Sequence, residues 1–365
     1  MSFVPLEYYV DLHVNILMLV TIVMIAHTSG STGRGYNSHL FLKAVTGFVL
    51  VSVILYMGLR PISGYYFGDM GTYARKFAIL AKGGVLLGKD MGFTLFITAC
   101  SRLISVELFF LLCVFLYVIP PYVAVKRWHK EYAIFALLAM IGSFSFWSYG
   151  TNGIRAGLAS SFFICALSYR KVFPIMLVFL LLSISFHQSM VLPLVGFAAT
   201  FIYNKPKVYL ISWFAAIVLS AVMGGFWEDF FSSLGFADDR ISNYLNGEGD
   251  MSQFSKTGFR WDFLLYSSMA VIIGYIYIAK YKFKDEFYYQ LYNTYVISNA
   301  FWILVIRAAF SNRFAYLSWF LMAVVIFYPL LKSKMFRLQY AKIGYALFFY
   351  YSFTYAMYYL LRARG

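Results

Sequence analysis

SYGTNGIRAGLASSFFICALSYRKVFPIMLVFLLLSISFHQS, residues 148–189, holds two apolar segments joined at the basic pair Arg170–Lys171. Arg155 opens the first segment and His187 closes the second. At about 1.5 Å of helix rise per residue, Arg155 lies roughly 22 Å and His187 roughly 24 Å from that pair. A bilayer's hydrocarbon core is about 30 Å thick, so two such helices would carry both ionisable groups to one depth, slightly inside the opposite face. Ionisable side chains at that depth are functional candidates by default.

The rest of the chain supports a membrane setting. Of its 365 residues, 62% are hydrophobic and 12% charged, whereas a soluble domain carries about 25% charged residues. No soluble fold of this size could bury that much apolar surface. The composition therefore predicts an all-α, polytopic integral membrane protein, a single domain over residues 1–365. Twelve apolar segments lie near residues 7–26, 40–58, 103–125, 132–148, 154–169, 172–187, 189–203, 208–224, 261–279, 287–308, 314–331 and 340–361. They predict about 12 transmembrane helices, several of them shorter than the roughly 20 residues of a straight span. Residues 90–102 are too polar for a span and read as a helix lying at the interface. The N-terminus has neither the basic flank nor the small-residue cleavage site of a signal peptide, so the run from Leu6 to Ala26 is expected to remain as a helix. Cys100, Cys113 and Cys165 sit in apolar runs without metal spacing and read as small buried side chains.

The net charge of +15 divides unevenly between the two sets of loops. One set, which includes Lys43, Lys126–Lys130, Arg170–Lys171, Lys280–Lys284 and Lys332–Lys342, gathers 16 basic residues against three acids. Basic residues favour cytoplasmic loops, so this set is expected inside and both termini outside. The excess charge then needs no nucleic acid to explain it. Two long outside loops follow, residues 59–102 and 225–260, the second rich in acids such as Asp238, Asp239, Glu248 and Asp250. Loops of that length are commonly lids or binding surfaces, or plain solvated flaps. The basic connections leave no room for a nucleotide-binding domain, and no GxxxxGK[ST] occurs.

The same helical ruler brings more polar groups to the outer level. Arg60 lies about 25 Å beyond Lys43, Asp262 about 27 Å and Arg260 about 30 Å before Lys280, Arg313 about 28 Å before Lys332, and Arg307 about 31 Å beyond Glu286. Asn152 and Asn312 stand beside Arg155 and Arg313. Any single arginine there could simply snorkel to lipid headgroups. A set of them on the face where basic residues do not normally gather points instead to phosphate, whose geometry suits the guanidinium fork. His187 could bond a backbone carbonyl or transfer protons. Asp69 could shape a turn or act as a general base. Asp262 is expected to pair with Arg260 or Arg307. HExxH and GxSxG are absent and the five histidines are scattered, so neither a zinc site nor that serine nucleophile is indicated. No cofactor or metal is expected. The 32 tyrosines and 39 phenylalanines suit interfacial belts, and could also stack on sugar rings.

Three blocks of residues resemble the EpsG family of bacterial membrane proteins, Wzy-type polymerases of exopolysaccharide and O-antigen repeat units. Gly58-Leu59-Arg60 is followed by Gly68-Asp69 and Tyr73. Asn152-Gly153-Ile154-Arg155 is followed by Ala159 and by Phe186-His187-Gln188-Ser189. Phe259-Arg260-Trp261-Asp262-Phe263 precedes Asn299-Ala300-Phe301-Trp302, Arg307 and Ser311-Asn312-Arg313-Phe314-Ala315-Tyr316. The order and spacing of the blocks across residues 45–330 carry the likeness; Ala156 after Arg155 departs from the family's usual glutamine.

The resemblance implies a GT-C-like membrane glycosyltransferase in the bacterial inner membrane with its active site facing outward. Its partners would be an undecaprenyl-diphosphate-linked oligosaccharide, the lipid bilayer and a chain-length regulator membrane protein. The diphosphate leaving group would drive transfer, consistent with the missing nucleotide site. Arg60, Arg155, Arg260, Arg307 and Arg313 would bind the diphosphate, with Asn152, Asp262 and Asn312 in support, and His187 or Asp69 would take the acceptor proton. A flippase for the same lipid is the principal alternative, but polar groups clustered at one level do not make a route across the bilayer, and no paired repeat is evident. A membrane acyltransferase would need an acyl-CoA path from the face opposite His187.

Overall fold

The computed structural model of the protein describes residues 4–30, 36–86, 88–233, 258–308 and 311–363. It is 83% helix with no strand among the described residues. Any crossing of a bilayer is therefore helical, as lipid requires when no water can satisfy an open backbone. The chain divides into two compact units, residues 1–190 with 330–365, and residues 191–329.

The first unit contains α1 (Tyr9–Gly30), α2 (Tyr36–Gly58), α3 (Gly64–Phe67), α4 (Met70–Ala81), α5 (Met91–Leu103), α6 (Val106–His129), α7 (Ala133–Ile141), α8 (Phe144–Thr151), α9 (Ile154–Ser168) and α10 (Phe173–Phe186). The second contains α11 (Val191–Ile202), α12 (Pro206–Ser233), α13 (Trp261–Ala279), α14 (Glu286–Leu304), α15 (Asn312–Trp319) and most of α16 (Met322–Lys332). The last helix, α17 (Gln339–Ala363), returns to the first unit.

Six helical stretches are long and apolar enough to cross a membrane: Leu6–Gly30, Tyr36–Gly58, Val106–Ile141, Pro206–Trp227, Trp261–Ala279 and Asn312–Lys332. The apolar helices Met91–Leu103, Ile154–Ser168, Phe173–Phe186 and Gln188–Ile202 are shorter. Ile154–Ser168 would reach only about 22 Å, less than a hydrocarbon core. The protein is thus a polytopic membrane protein, but helix length does not yield twelve full spans. Segments read as continuous are also broken. The run 132–148 stops at Gly142-Ser143 between α7 and α8, and 314–331 is interrupted between α15 and α16.

The two regions read as loops are partly helical. Residues 59–102 fold into α3, α4 and most of α5, and α12 continues to Ser233. Asp238, Asp239, Glu248 and Asp250 lie outside the described residues, as does the Gly33-Arg34-Gly35 segment.

In the first unit α6 packs against α2, α9 and α7. Helix α9 is buried without a break from Gly157 to Leu167, the mark of a core helix that is apolar all round. It forms a hairpin with α10, which Pro174 opens in its first turn. The Ser183 hydroxyl donates to the Ala159 carbonyl at 2.7 Å across this hairpin, and the Ser161 hydroxyl to Leu116 at 2.8 Å toward α6.

Helix α17 packs on α1. Tyr351 donates to the Val14 carbonyl at 2.7 Å and Tyr358 to Asp11 Oδ1 at 3.0 Å. Tyrosine serves the same end in the second unit, where Tyr292 and Tyr295 on α14 donate to the Val271 and Ser267 carbonyls on α13. Several tyrosines therefore join helices in the interior. All three cysteines are free and buried.

A buried polar network holds the second unit. Asn299 accepts from the Trp213 indole N–H at 2.8 Å and donates to Ser318 Oγ at 2.9 Å. Asn299→Ala leaves that indole N–H buried without its acceptor, an expected cost of about 1–3 kcal/mol. The thermal midpoint of the detergent-solubilised protein should fall, and an unchanged midpoint would show that the network adds no net stability.

Candidate active site

Asp90 stands immediately before α5, an amphipathic helix whose Phe93, Ile97 and Cys100 are buried. Helix α5 packs against α4, α10 and α6. The crossing with α10 is close: a Cβ on Gly92 would lie 2.7 Å from Ser185 Cβ and 3.0 Å from its carbonyl carbon. A side chain there would force α5 away from α10. Glycine thus lets the start of α5 rest on the end of α10, where His187 leaves the helix in an extended conformation (φ −156°, ψ 110°). That turn aims the Gln188 N–H at Asp90 Oδ1, 3.0 Å away, while Gln188 Nε2 donates to the Lys89 carbonyl at 3.1 Å.

The other carboxylate oxygen, Oδ2, accepts from Arg155 Nη1. The same oxygen lies 3.5 Å from the buried Nδ1 of His187. This is long for a hydrogen bond and within reach of an ion pair when the ring is protonated. The Arg155 Nε–H donates to the Tyr73 hydroxyl oxygen at 3.1 Å. Asp90 is 8% exposed at its side chain, against 26% for Arg155 and 22% for His187. The carboxylate is therefore the closed centre, and the arginine and imidazole form its open rim.

Burial alone would push the Asp90 carboxyl up. The contact with His187, the charges of His187 and Arg155 and the Gln188 N–H outweigh burial and hold it below its ordinary value of 3.8. The site consequently keeps an ionised carboxylate beside the imidazole at neutral pH. A carboxylate facing Nδ1 orients the ring and leaves Nε2 for proton transfer.

Around this centre the first two sequence blocks meet. Gly68 adopts φ +54°, and a Cβ there would lie 2.6 Å from the Asn152 amide carbon. Asn152 Oδ1 accepts the Asp69 backbone N–H at 2.8 Å. Asn152 thus pins the Gly68-Asp69 turn that leads into α4 and Tyr73, and Asp69 itself is half-buried.

Arg60 departs from its expected place. It is 3% exposed, and its guanidinium bonds the Met57 carbonyl and, at 3.0 Å, the Thr151 carbonyl. The rings of Phe67 and Phe110 lie 5.4 and 5.7 Å from it. A side chain so enclosed has no face for a diphosphate. Arg60 ties the end of α2 to the end of α8, just ahead of Asn152.

In the second unit, Arg260 makes a two-point pair with Asp262 at 2.9 and 2.7 Å and stacks on Phe263 at 3.6 Å. Of the two partners expected for Asp262, Arg260 is therefore one that the structure supplies. Arg307 and Arg313 are exposed, the former near the Ala221 carbonyl and against Gly224, beside the non-helical residue Met223 in α12. Asn312 opens α15, and its buried Oδ1 has no hydrogen-bond partner among the described residues. All ten residues singled out from sequence thus sit at or near helix ends.

Asp90 was not among them. An acid placed just before an amphipathic run is a recognisable helix-start signal, but only the fold shows that it meets Arg155 and His187. Among the described residues no three His, Cys, Asp or Glu side chains converge to hold a metal.

The EpsG family model matches residues 43–365, which include every residue of this cluster. Comparison with curated proteins and with solved structures gives no match.

Because the Asp90 carboxyl is held low in the folded protein, its stabilising contribution is complete above about pH 4 and fades as pH falls through its folded value. In a thermal-midpoint series from neutral to acid pH, Asp90→Asn should lack this acid-limb component. Superimposable wild-type and variant acid limbs would contradict the assignment.

Proposed function

The chain belongs to the EpsG family, membrane proteins of polysaccharide biosynthesis, and on that premise we propose that it is a glycosyltransferase that polymerises lipid-linked oligosaccharide repeat units. The growing glycan would be transferred from undecaprenyl diphosphate to the non-reducing-end hydroxyl of a new lipid-linked unit, at the outer face of the bacterial inner membrane. The observation that carries this reading is the carboxylate–imidazole–guanidinium cluster of Asp90, His187 and Arg155.

In this scheme His187 is the general base. Its Nδ1 faces Asp90, so Nε2 takes the proton of the acceptor hydroxyl as that oxygen bonds to the anomeric carbon. The bond from that carbon to the diphosphate oxygen breaks, and the electron pair leaves with the diphosphate. Arg155, held by Asp90 and Tyr73, supplies positive charge where negative charge develops. Asp90 acts through the other two as a positioning residue. Asn152 and Asp69 shape the wall that carries Tyr73.

A general base is worth on the order of 10²–10⁴ in rate. His187→Gln, expressed at the wild-type level, should collapse the high-molecular-weight glycan ladder while single repeat units still reach their final acceptor. Arg155→Ala should do the same. Full-length polymer from His187→Gln would remove it as base. Loss of every surface unit, single ones included, would indicate lipid transport instead.

A further inference from the structure

At the other end of α2 from Arg60 lies a cavity of about 690 Å³ between α2 and the C-terminal end of α6. Lys43 of α2 and Lys126 and Lys130 at the end of α6 line one part of it. Its one acidic residue among the described residues, Glu131, has its Oε2 3.4 Å from His39 Nδ1 and so faces the imidazole. The rest of the lining is mainly apolar, with Thr46 and the phenols of Tyr36 and Tyr122 as its polar exceptions. Leu40, Gly47 and Leu50 share the α2 face of Lys43 at helical spacing. Among the described residues nothing lies within 4 Å of the position a Cβ on Gly47 would take, so the groove is open to them there. Charge is thus confined to one end, and a greasy channel runs about 10 Å along α2 from Lys43 to Leu50.

We infer that this cavity binds one anionic phospholipid, with its phosphate against Lys43, Lys126 and Lys130 and an acyl chain along the Gly47 groove. The match is one of amphiphile to amphiphile. Ammonium groups act as point charges for phosphate, and basic pockets between membrane helices suit anionic headgroups. A zwitterionic lipid brings its own cation to the same lysines and gains less. The site is independent of the Asp90 cluster and of the reaction proposed for it.

The test is native mass spectrometry of the purified full-length protein in detergent, titrated with phosphatidylglycerol or phosphatidylcholine. Wild-type protein should retain one phosphatidylglycerol in preference to phosphatidylcholine. Each lysine is worth roughly fivefold in affinity, so the Lys43→Gln/Lys126→Gln/Lys130→Gln protein should lose on the order of a hundredfold. Lys205→Gln/Lys207→Gln, which removes charge elsewhere, should change nothing. Gly47→Leu keeps every charge and fills the groove, and should also weaken phosphatidylglycerol; it decides the matter if the triple variant cannot be recovered folded. Equal affinity for the two lipids, or unaltered phosphatidylglycerol binding in the variants, would overturn the inference. So would displacement by inorganic phosphate as effective as by phosphatidylglycerol, because the groove would then contribute nothing.

Discussion

The carboxylate of Asp90 is shared by three groups that reach it from two distant places in the chain: the guanidinium of Arg155, and the imidazole of His187 with the backbone N–H of the next residue, Gln188. A buried charge is tolerated only where partners replace the water it loses. Those partners can arrive together only if α5 rests closely on α10 and α9 starts beside them. The glycine at position 92, the extended backbone at His187 and the hairpin through Arg170-Lys171 all serve that one requirement. Asp90 also couples the two residues with chemical potential. The arginine cannot be moved without changing the field at the imidazole.

A second layer of polar contacts keeps the first in place. Asn152 holds the Gly68-Asp69 turn, the turn leads to α4, and α4 presents Tyr73 to Arg155. Arg60 secures the end of α8 that carries Asn152. Elsewhere the helices are joined by tyrosine hydroxyls that donate to backbone carbonyls, as Tyr351 does to Val14 and Tyr292 to Val271. Helices in lipid gain little from hydrophobic contact with one another, so close packing and such hydrogen bonds must supply the specificity. This accounts for a tyrosine content that composition alone assigns to interfaces.

Much of this was legible beforehand, because membrane burial imposes a strong pattern. The hairpin around Arg170-Lys171, the helical character of residues 90–102 and the placing of Arg155 and His187 at adjacent helix ends all follow from apolar runs and a fixed rise per residue. The breaks at Gly142-Ser143 and between Trp319 and Met322 were not legible. An apolar run has the same composition whether it continues as one helix or folds into two short ones, and neighbours decide which. The ruler also placed Arg60 by depth alone, and depth does not tell whether a side chain faces a ligand or its own helix end.

The sequence by itself determined the membrane setting, the all-helical class and the two blocks from which the cluster is built, because hydropathy and charge act locally and add along the chain. Only the tertiary structure decided which acid belongs to Arg155 and His187. Asp69 and Asp90 stand in the same inter-helix region and look alike in sequence. Asp90 joins the cluster because Gly92 lets its helix approach α10 within van der Waals contact, a contact between residues far apart in the chain that no local pattern records.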